Sequence, residues 1–276
     1  MGIFRKKTQG SFTGLEDAIT GFVMYQHTDL PTLPDVINRL THYLESSELT
    51  RKIGFVEIIT DPKTLDKDGD VVSVLVGDEH PLHFQRSHSP VPFERLEAAQ
   101  NHVQMLQGSQ SSIAVLTHQD SQSSSGTVLR AIISAFAIQS FHDCSPMQGV
   151  LWNPSSNIVT PQQWTTQCAE FIKNGRIPVH LWVQILTHQH AKGVDAASIG
   201  MMGMFSTHEV EIWNSSRDEA EVGDLLESAI LDTIAQGPIV RRGKSWSTTT
   251  GVRFKAGLKR SRLEHNEKVA RLLEFE

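Results

Sequence analysis

Hydrophobic residues in the first half of the chain follow two periods, one typical of strands and one typical of amphipathic helices. Short runs rich in β-branched and aromatic residues predict strands. They cover residues 21–26, 53–60, 71–77, 81–86 and 112–117, with 81–86 expected at a sheet edge. Apolar residues three and four positions apart predict one helix over 33–45 and another between 93 and 106.

The second half shows a similar alternation. A connecting helix is predicted over 128–139, after a Ser/Gln-rich loop. Strands are predicted at 149–153, 177–186, 207–214, 238–242 and 252–255. One helix starts at Thr160-Pro161, because proline is favoured at the first helical position. A capping box of Ser216 and Glu219 predicts the start of another, and residues 258–276 resemble a charged helix.

Both halves therefore read strand, helix, two or three strands, helix, strand. This order predicts an α+β fold with two tandem ferredoxin-like (βαββαβ) halves, each with an antiparallel sheet, joined by a connecting helix. The predicted organisation is a first half (18–119), a loop and connecting helix (120–145), a second half (146–256) and a charged C-terminal helix or tail (257–276).

Composition places the chain among globular proteins, since 39% of its 276 residues are hydrophobic and 20% are charged. No secretory signal or membrane-spanning run is found, which predicts a cytoplasmic protein with no membrane partner. Net charge is −6, yet residues 233–263 hold eight cations and no acid. This basic edge from Arg241 to Arg262 suits an acidic partner, whereas the overall acidity argues against nucleic acid.

Catalytic motifs are absent from the sequence. There is no phosphate-binding glycine loop, nucleophile elbow or zinc-ligand spacing. Cys144 and Cys168 read as buried thiols, with a disulfide left open. Residues 66–70 read as a hairpin turn, because the calcium-loop positions around them hold the wrong residues. The thirteen histidines, including His188 and His190, read as solvated loop residues. We therefore predict no catalytic residue, no metal site and no cofactor.

The candidate site lies on the predicted strand pair 177–186 and 207–214. Strand alternation would place alternate residues of both strands on one polar face. Three interpretations of this face are open. Paired carboxylates beside a histidine suit acid–base chemistry, and tryptophans rimmed by polar groups suit protein recognition. A packed interface between the two halves explains the same pattern. With the two arginines of the basic edge, the predicted binding residues are His180, Trp182, Gln184, Glu209, Glu211, Trp213, Arg241 and Arg242.

Five segments carry a family resemblance. They are residues 90–92 (PVP), 149–152 (GVLW), 177–183 (IPVHLWV), 200–203 (GMMG) and 208–212 (HEVEI). In this order they resemble the bacterial domain-of-unknown-function family numbered 4261. The acidic turn usual in that family is replaced here by Arg241-Arg242-Gly243-Lys244-Ser245. The resemblance implies a shared fold and no catalytic residues.

Three functions fit these observations. The leading hypothesis is a non-enzymatic bacterial binding protein, in a specific version an immunity protein that neutralises a toxin of a contact-dependent or type VI secretion system by direct contact. The second is an enzyme or cofactor-binding protein that uses a pocket between the sheets, with His180, Glu209 and Glu211 as candidates. The third is a regulatory module whose basic edge meets nucleic acid.

Overall fold

The computed structural model describes most of the chain in ten segments. These are residues 18–47, 58–60, 65–77, 80–88, 106, 108–118, 124–242, 245–249, 251–262 and 268–275. The chain forms two compact units. The first comprises residues 1–120 and 128–178, and the second comprises residues 121–127 and 179–276.

A seven-stranded sheet forms the first unit, in the order β2-β3-β4-β5-β1-β6-β7, with every neighbouring pair antiparallel. Its strands are β1 (Ala18–Tyr25), β2 (Ile58–Thr60), β3 (Val71–Val76), β4 (His80–Ser87), β5 (Ser111–His118), β6 (Gly149–Trp152) and β7 (Asn157–Val159). Its helices are α1 (Leu33–Ser46), most of α2 (Ser124–Cys144) and α3 (Pro161–Asn174), and a short 3₁₀ turn (Asn153–Ser155) joins β6 to β7.

Local sequence explains where these helices begin and end. Thr32 caps α1 by accepting a hydrogen bond from the Asp35 amide, and the apolar stripe of this helix is buried. Thr160 and Gln163 form a capping box at the start of α3, while Gly175 ends the helix at φ 66°. The predictions of α1, of the α3 start and of the connecting helix are confirmed.

The second unit contains a six-stranded sheet in the order β11-β12-β13-β10-β9-β8. The strands β10 and β13 run parallel, and the other neighbours are antiparallel. The strands are β8 (Gln184–His190), β9 (Gly193–Ile199), β10 (Val210–Ser215), β11 (Ser245–Ser247), β12 (Arg253–Arg260) and β13 (Lys268–Phe275). The helices are α4 (Val179–Trp182), α5 (Met201–Phe205), α6 (Glu219–Gln236) and α7 (Ile239–Arg242).

Helix α6 packs on one face of this sheet, against β8, β9 and β10. Thr187 of β8 lies beside Gly223 of α6. Register then places Ala196 and Ile212 on the same covered face. Because alternate residues point to opposite faces, Glu211 and its neighbour Arg271 in β13 lie on the face turned away from α6.

The fold is α+β with two sheets dominated by antiparallel pairs, but the tandem ferredoxin-like arrangement is not confirmed. β6 was expected to open the second half. It pairs instead with β1 and extends the first sheet. The predicted edge strand 81–86 is β4, which lies between β3 and β5. The helix predicted between 93 and 106 lies outside the described residues, except for Leu106.

Three elements of the second unit differ from the predictions. Residues 179–182 form a helical turn rather than a strand, because Val179, Trp182 and Val183 are all buried at helical spacing. Residues 239–242 are also helical. The predicted C-terminal helix is strand β13, which fills the position between β12 and β10. Neighbouring strands thereby override a sequence with many good helix formers.

The start of α6 also differs by two residues. Asp218, not Ser216, is the N-cap, and its carboxylate accepts the Glu221 amide at 2.8 Å. Both pairs, Ser216 with Glu219 and Asp218 with Glu221, have the three-residue spacing of a helix start. Gly237 ends α6 at φ 85°.

Candidate functional site: a tryptophan and two arginines in the second unit

The structure separates the eight predicted binding residues. Trp182 is fully buried, and its Nε1 has no hydrogen-bond partner among the described residues. His180 lies in α4, where its Nε2 is 3.1 Å from Glu227 Oε2 of α6. Gln184 starts β8 opposite Ile199. The prediction that residues 180, 182 and 184 share one face of a strand is therefore wrong, because α4 is helical.

Arg241 and Arg242 end α7 rather than lying on a strand. Their side chains lie outside the described part of the structure. Their proposed role in binding stays a prediction.

Glu209 stabilises the turn that leads into α5. Its carboxylate accepts hydrogen bonds from the backbone amides of Gly200 (2.9 Å), Met201 (3.1 Å) and Met202 (3.1 Å), and from the Ser198 hydroxyl (2.7 Å). Burial raises the pKa of Glu209 above its ordinary value, although these four hydrogen bonds lower it in part. Glu209 therefore has a structural role.

Glu211 is buried, with 2% of its surface exposed. One oxygen accepts the indole N–H of Trp213 at 2.5 Å and the Arg262 backbone amide at 3.3 Å. The other oxygen accepts the Ser261 hydroxyl. The carboxylate thus ties β10 to the turn after β12. The predicted pairing of Glu211 and Trp213 on one face is confirmed, and Glu209 precedes the strand.

Two guanidinium groups flank the half-buried indole of Trp213. Arg262 Cζ lies 4.1 Å from the ring centroid, and Arg271 Cζ lies 5.2 Å from it. Both distances are within the range of cation–π attraction. We call Trp213, Arg262 and Arg271 the Trp213 cluster.

Arg262 is fixed by groups from β9 and β10. Its Nη1 donates to Asp195 Oδ2 at 2.9 Å and to Asn214 Oδ1 at 3.1 Å. Burial alone would raise the pKa of Asp195, but hydrogen bonds from the Asn214 amide, His190 and Arg262 outweigh it and lower this pKa. The lowered pKa therefore favours the charged form of Asp195 beside Arg262.

An irregularity in β10 helps to position this cluster. The register with β9 shifts between Ile212 and Ser215, and Asn214 adopts φ 53°. Such bulges bend a strand and redirect its side chains, and asparagine tolerates a positive φ better than most residues. The bulge lets the backbone amide of Asn214 donate to Asp195 Oδ1 at 2.7 Å.

Positive charge surrounds the cluster. We call residues 253–262 and 268–275, the described parts of β12, β13 and the turn between them, the cationic hairpin. It carries seven Arg or Lys residues and a single carboxylate, that of Glu274, while the sequence between the two ranges adds Glu264 and Glu267. The cations are Arg253, Lys255, Lys259, Arg260, Arg262, Lys268 and Arg271.

Sequence reasoning missed Asp195 and Arg271 as site residues. Arg271 lies in a segment predicted to be helical, so the sequence does not indicate its position opposite Glu211 in the sheet. Asp195 meets Arg262 across 67 positions of the chain. No local spacing signals such a contact.

A cleft of about 500 Å³ lies on the first unit. It is lined by polar residues of α1 and by the end of α2, namely Asp35, Asn38, Arg39, His42, Asp143 and Cys144. Burial raises the pKa of the Cys144 thiol, which disfavours the reactive thiolate. Both Cys144 and Cys168 are free thiols.

Within the described ranges, no three His, Cys, Asp or Glu side chains are placed to hold a metal ion. The rings of His188 and His190 stack with centroids 6.2 Å apart, and His190 faces Asp195. No helix in the described ranges is long and apolar enough to cross a membrane.

Comparison of the chain with protein-family models, curated proteins and solved structures finds no match.

Proposed function

We propose that this chain is a non-enzymatic bacterial binding protein that contacts an acidic protein partner through its second unit. The cationic hairpin carries the proposal, because six cations and one carboxylate share the adjacent strands β12 and β13. An acidic partner would associate faster with this surface through electrostatic attraction.

A protein partner suits the charge distribution better than a long polyanion. Net charge over the whole chain is −6, so a nucleic acid would meet repulsion beyond the hairpin. An acidic patch on a protein meets only the local surface, since exposed charges are screened beyond roughly 8 Å at physiological ionic strength.

The specific form of the proposal is an immunity protein that binds and neutralises a toxin. Its support comes from the cationic hairpin and from the resemblance to a bacterial family for which no catalytic residues are established. The cytoplasmic location expected from the sequence belongs to this proposal.

No second function is proposed. The enzyme hypothesis relied on His180, Glu209 and Glu211. Both carboxylates accept several hydrogen bonds from their own unit, and His180 pairs with Glu227 instead. No observation favours acid–base catalysis by these groups.

The direct test is a protection assay. Each toxin gene encoded beside the gene of this protein is expressed in bacteria, with and without the protein, and survival is counted. We expect protection against one of them. We also expect the Lys255→Glu, Lys259→Glu double variant to lose it, since both lysines are exposed on β12.

A matched control keeps this test specific. The Lys173→Glu variant changes an exposed lysine of the first unit and should protect as the wild type does. Absence of protection against every neighbouring toxin contradicts the immunity proposal. Protection that survives the double variant contradicts the use of the cationic hairpin.

A further inference from the structure

The two arginines of the Trp213 cluster differ in their surroundings. Arg262 is bound by Asp195 and Asn214. The Nε of Arg271 is shielded from solvent, and it has no hydrogen-bond partner among the described residues. A shielded donor without a partner is unfavourable. Among the described residues, no carboxylate pairs with the Arg271 guanidinium, whereas Asp195 pairs with Arg262.

The two strand neighbours of Arg271 leave room beside it. On one side, Glu211 already accepts hydrogen bonds from Trp213 and from the Arg262 amide. On the other side stands Gly257 of β12, directly opposite Arg271. A Cβ atom added to Gly257 would meet no atom within 4 Å among the described residues. The missing side chain thus opens a notch over Gly257.

The notch is lined by positive charge. Lys255 and Lys259 lie two residues to either side of Gly257, so strand alternation places them on the same face. Both lysines are exposed. Strand register therefore places these two lysines and Arg271 around the Gly257 position, on three of its sides. An arginine fork binds a carboxylate well, because its N–H groups match the two oxygens.

We propose that the notch over Gly257 binds a carboxylate side chain of an acidic protein segment, with Arg271 as the anchoring cation and Lys255 and Lys259 as flanking cations. This inference rests on the proposed binding function and deepens it. The segment lies across β12 and β13 and places an Asp or Glu side chain into the notch.

The Trp213 ring also separates an acidic peptide from a nucleic acid. Proteins that bind single strands stack bases on open aromatic faces. One face of Trp213 is covered by Arg262 at 4.1 Å, which leaves less room for such stacking. The ring instead lies beside the guanidinium groups of Arg262 and Arg271.

The test uses a synthetic peptide of ten glutamates with an amidated C-terminus, titrated at low salt. Trp213 reports on binding, because the other four tryptophans, residues 152, 164, 182 and 246, are at most 7% exposed. Comparison with the Trp213→Phe variant identifies how much of the fluorescence signal comes from Trp213. Circular dichroism and thermal melting check that each variant is folded.

Three variants locate the contact. Arg271→Gln should weaken peptide binding by about tenfold, the loss expected for one hydrogen-bonded ion pair. Lys268→Gln is the control, since it removes the same charge from the same strand on the opposite face. Gly257→Leu fills the notch without a change in charge and should weaken binding to a similar extent, which keeps the test valid if Arg271→Gln is unfolded.

The outcomes distinguish the inference from the proposed function. Equal binding by the wild type and all three variants overturns the notch but leaves the binding function intact. If neither the wild type nor any variant binds the peptide, the inference about the notch is overturned, while the protection assay still decides the proposed function. Tighter binding of poly(U) RNA that is lost in Arg271→Gln overturns the inference in favour of a nucleic-acid ligand.

Discussion

Replacement of Glu209 by alanine should destabilise the second unit strongly. The change deletes a carboxylate that accepts the amides of Gly200, Met201 and Met202. Each hydrogen bond to a charged group contributes roughly 1.5–3 kcal/mol. The desolvation that raises the pKa of Glu209 offsets part of this sum. We therefore expect a loss of about 2–4 kcal/mol in the free energy of unfolding.

Two measurements check this value. Urea denaturation gives the change in free energy, and hydrogen exchange followed by NMR reports on the three amides individually. Glu209→Gln should lose less, since its carbonyl oxygen still accepts from the backbone. Glu45→Ala, at an exposed site of α1, is the control and should stay within about 0.5 kcal/mol of the wild type.

A loss in Glu209→Ala no larger than in the control would refute this reasoning. Unchanged protection of the Met201 and Met202 amides would also refute it, because those amides would then have another acceptor. A loss confined to the amides, with no change in global stability, would mean that the turn opens on its own.

Three further predictions concern the core, the acid range and a turn. Trp182→Phe should cost about 1 kcal/mol less than Trp164→Phe in urea denaturation, because only the Trp164 indole donates a hydrogen bond. Asp195 has a lowered pKa in the folded protein. Its contribution to stability is therefore present above the pKa of about 3.9 that it has in the unfolded chain, and it is lost as the pH falls toward the folded-state pKa. Asp195→Asn should reduce this loss, as measured by denaturation midpoints from neutral to acid pH. Gly193→Ala should destabilise by well over the roughly 1 kcal/mol expected of Gly175→Ala, since only at Gly193 does the new Cβ collide with backbone, and thermal melting of both variants decides this.

Elements with their own caps and stripes were predictable from sequence. The apolar spacing of Val36, Leu40 and Leu44 predicts α1, and all three are buried. Thr160 predicts the start of α3, because its hydroxyl and the following proline act within one turn of chain. Such signals depend on neighbours only.

Elements decided by distant partners were not predictable. Trp182 alternates correctly for a strand, yet it is buried in a helical turn. β13 consists largely of residues with good helix propensity, and only its place between β10 and β12 makes it a strand. The candidate site depends on this strand. Glu211 and Trp213 could therefore be found from alternation, but Arg271 could not.

The central position of β13 also has a consequence for how the second sheet forms during synthesis. β10 ends at residue 215 and its parallel partner at residue 275, so sixty residues separate the completion of the two strands. At the roughly 5–20 residues per second of translation, β10 waits about 3–12 s for this neighbour. During that interval the edge of β10 that β13 later covers is open to pairing with other chains. Co-translational folding of the second unit therefore cannot finish until the last strand has left the ribosome.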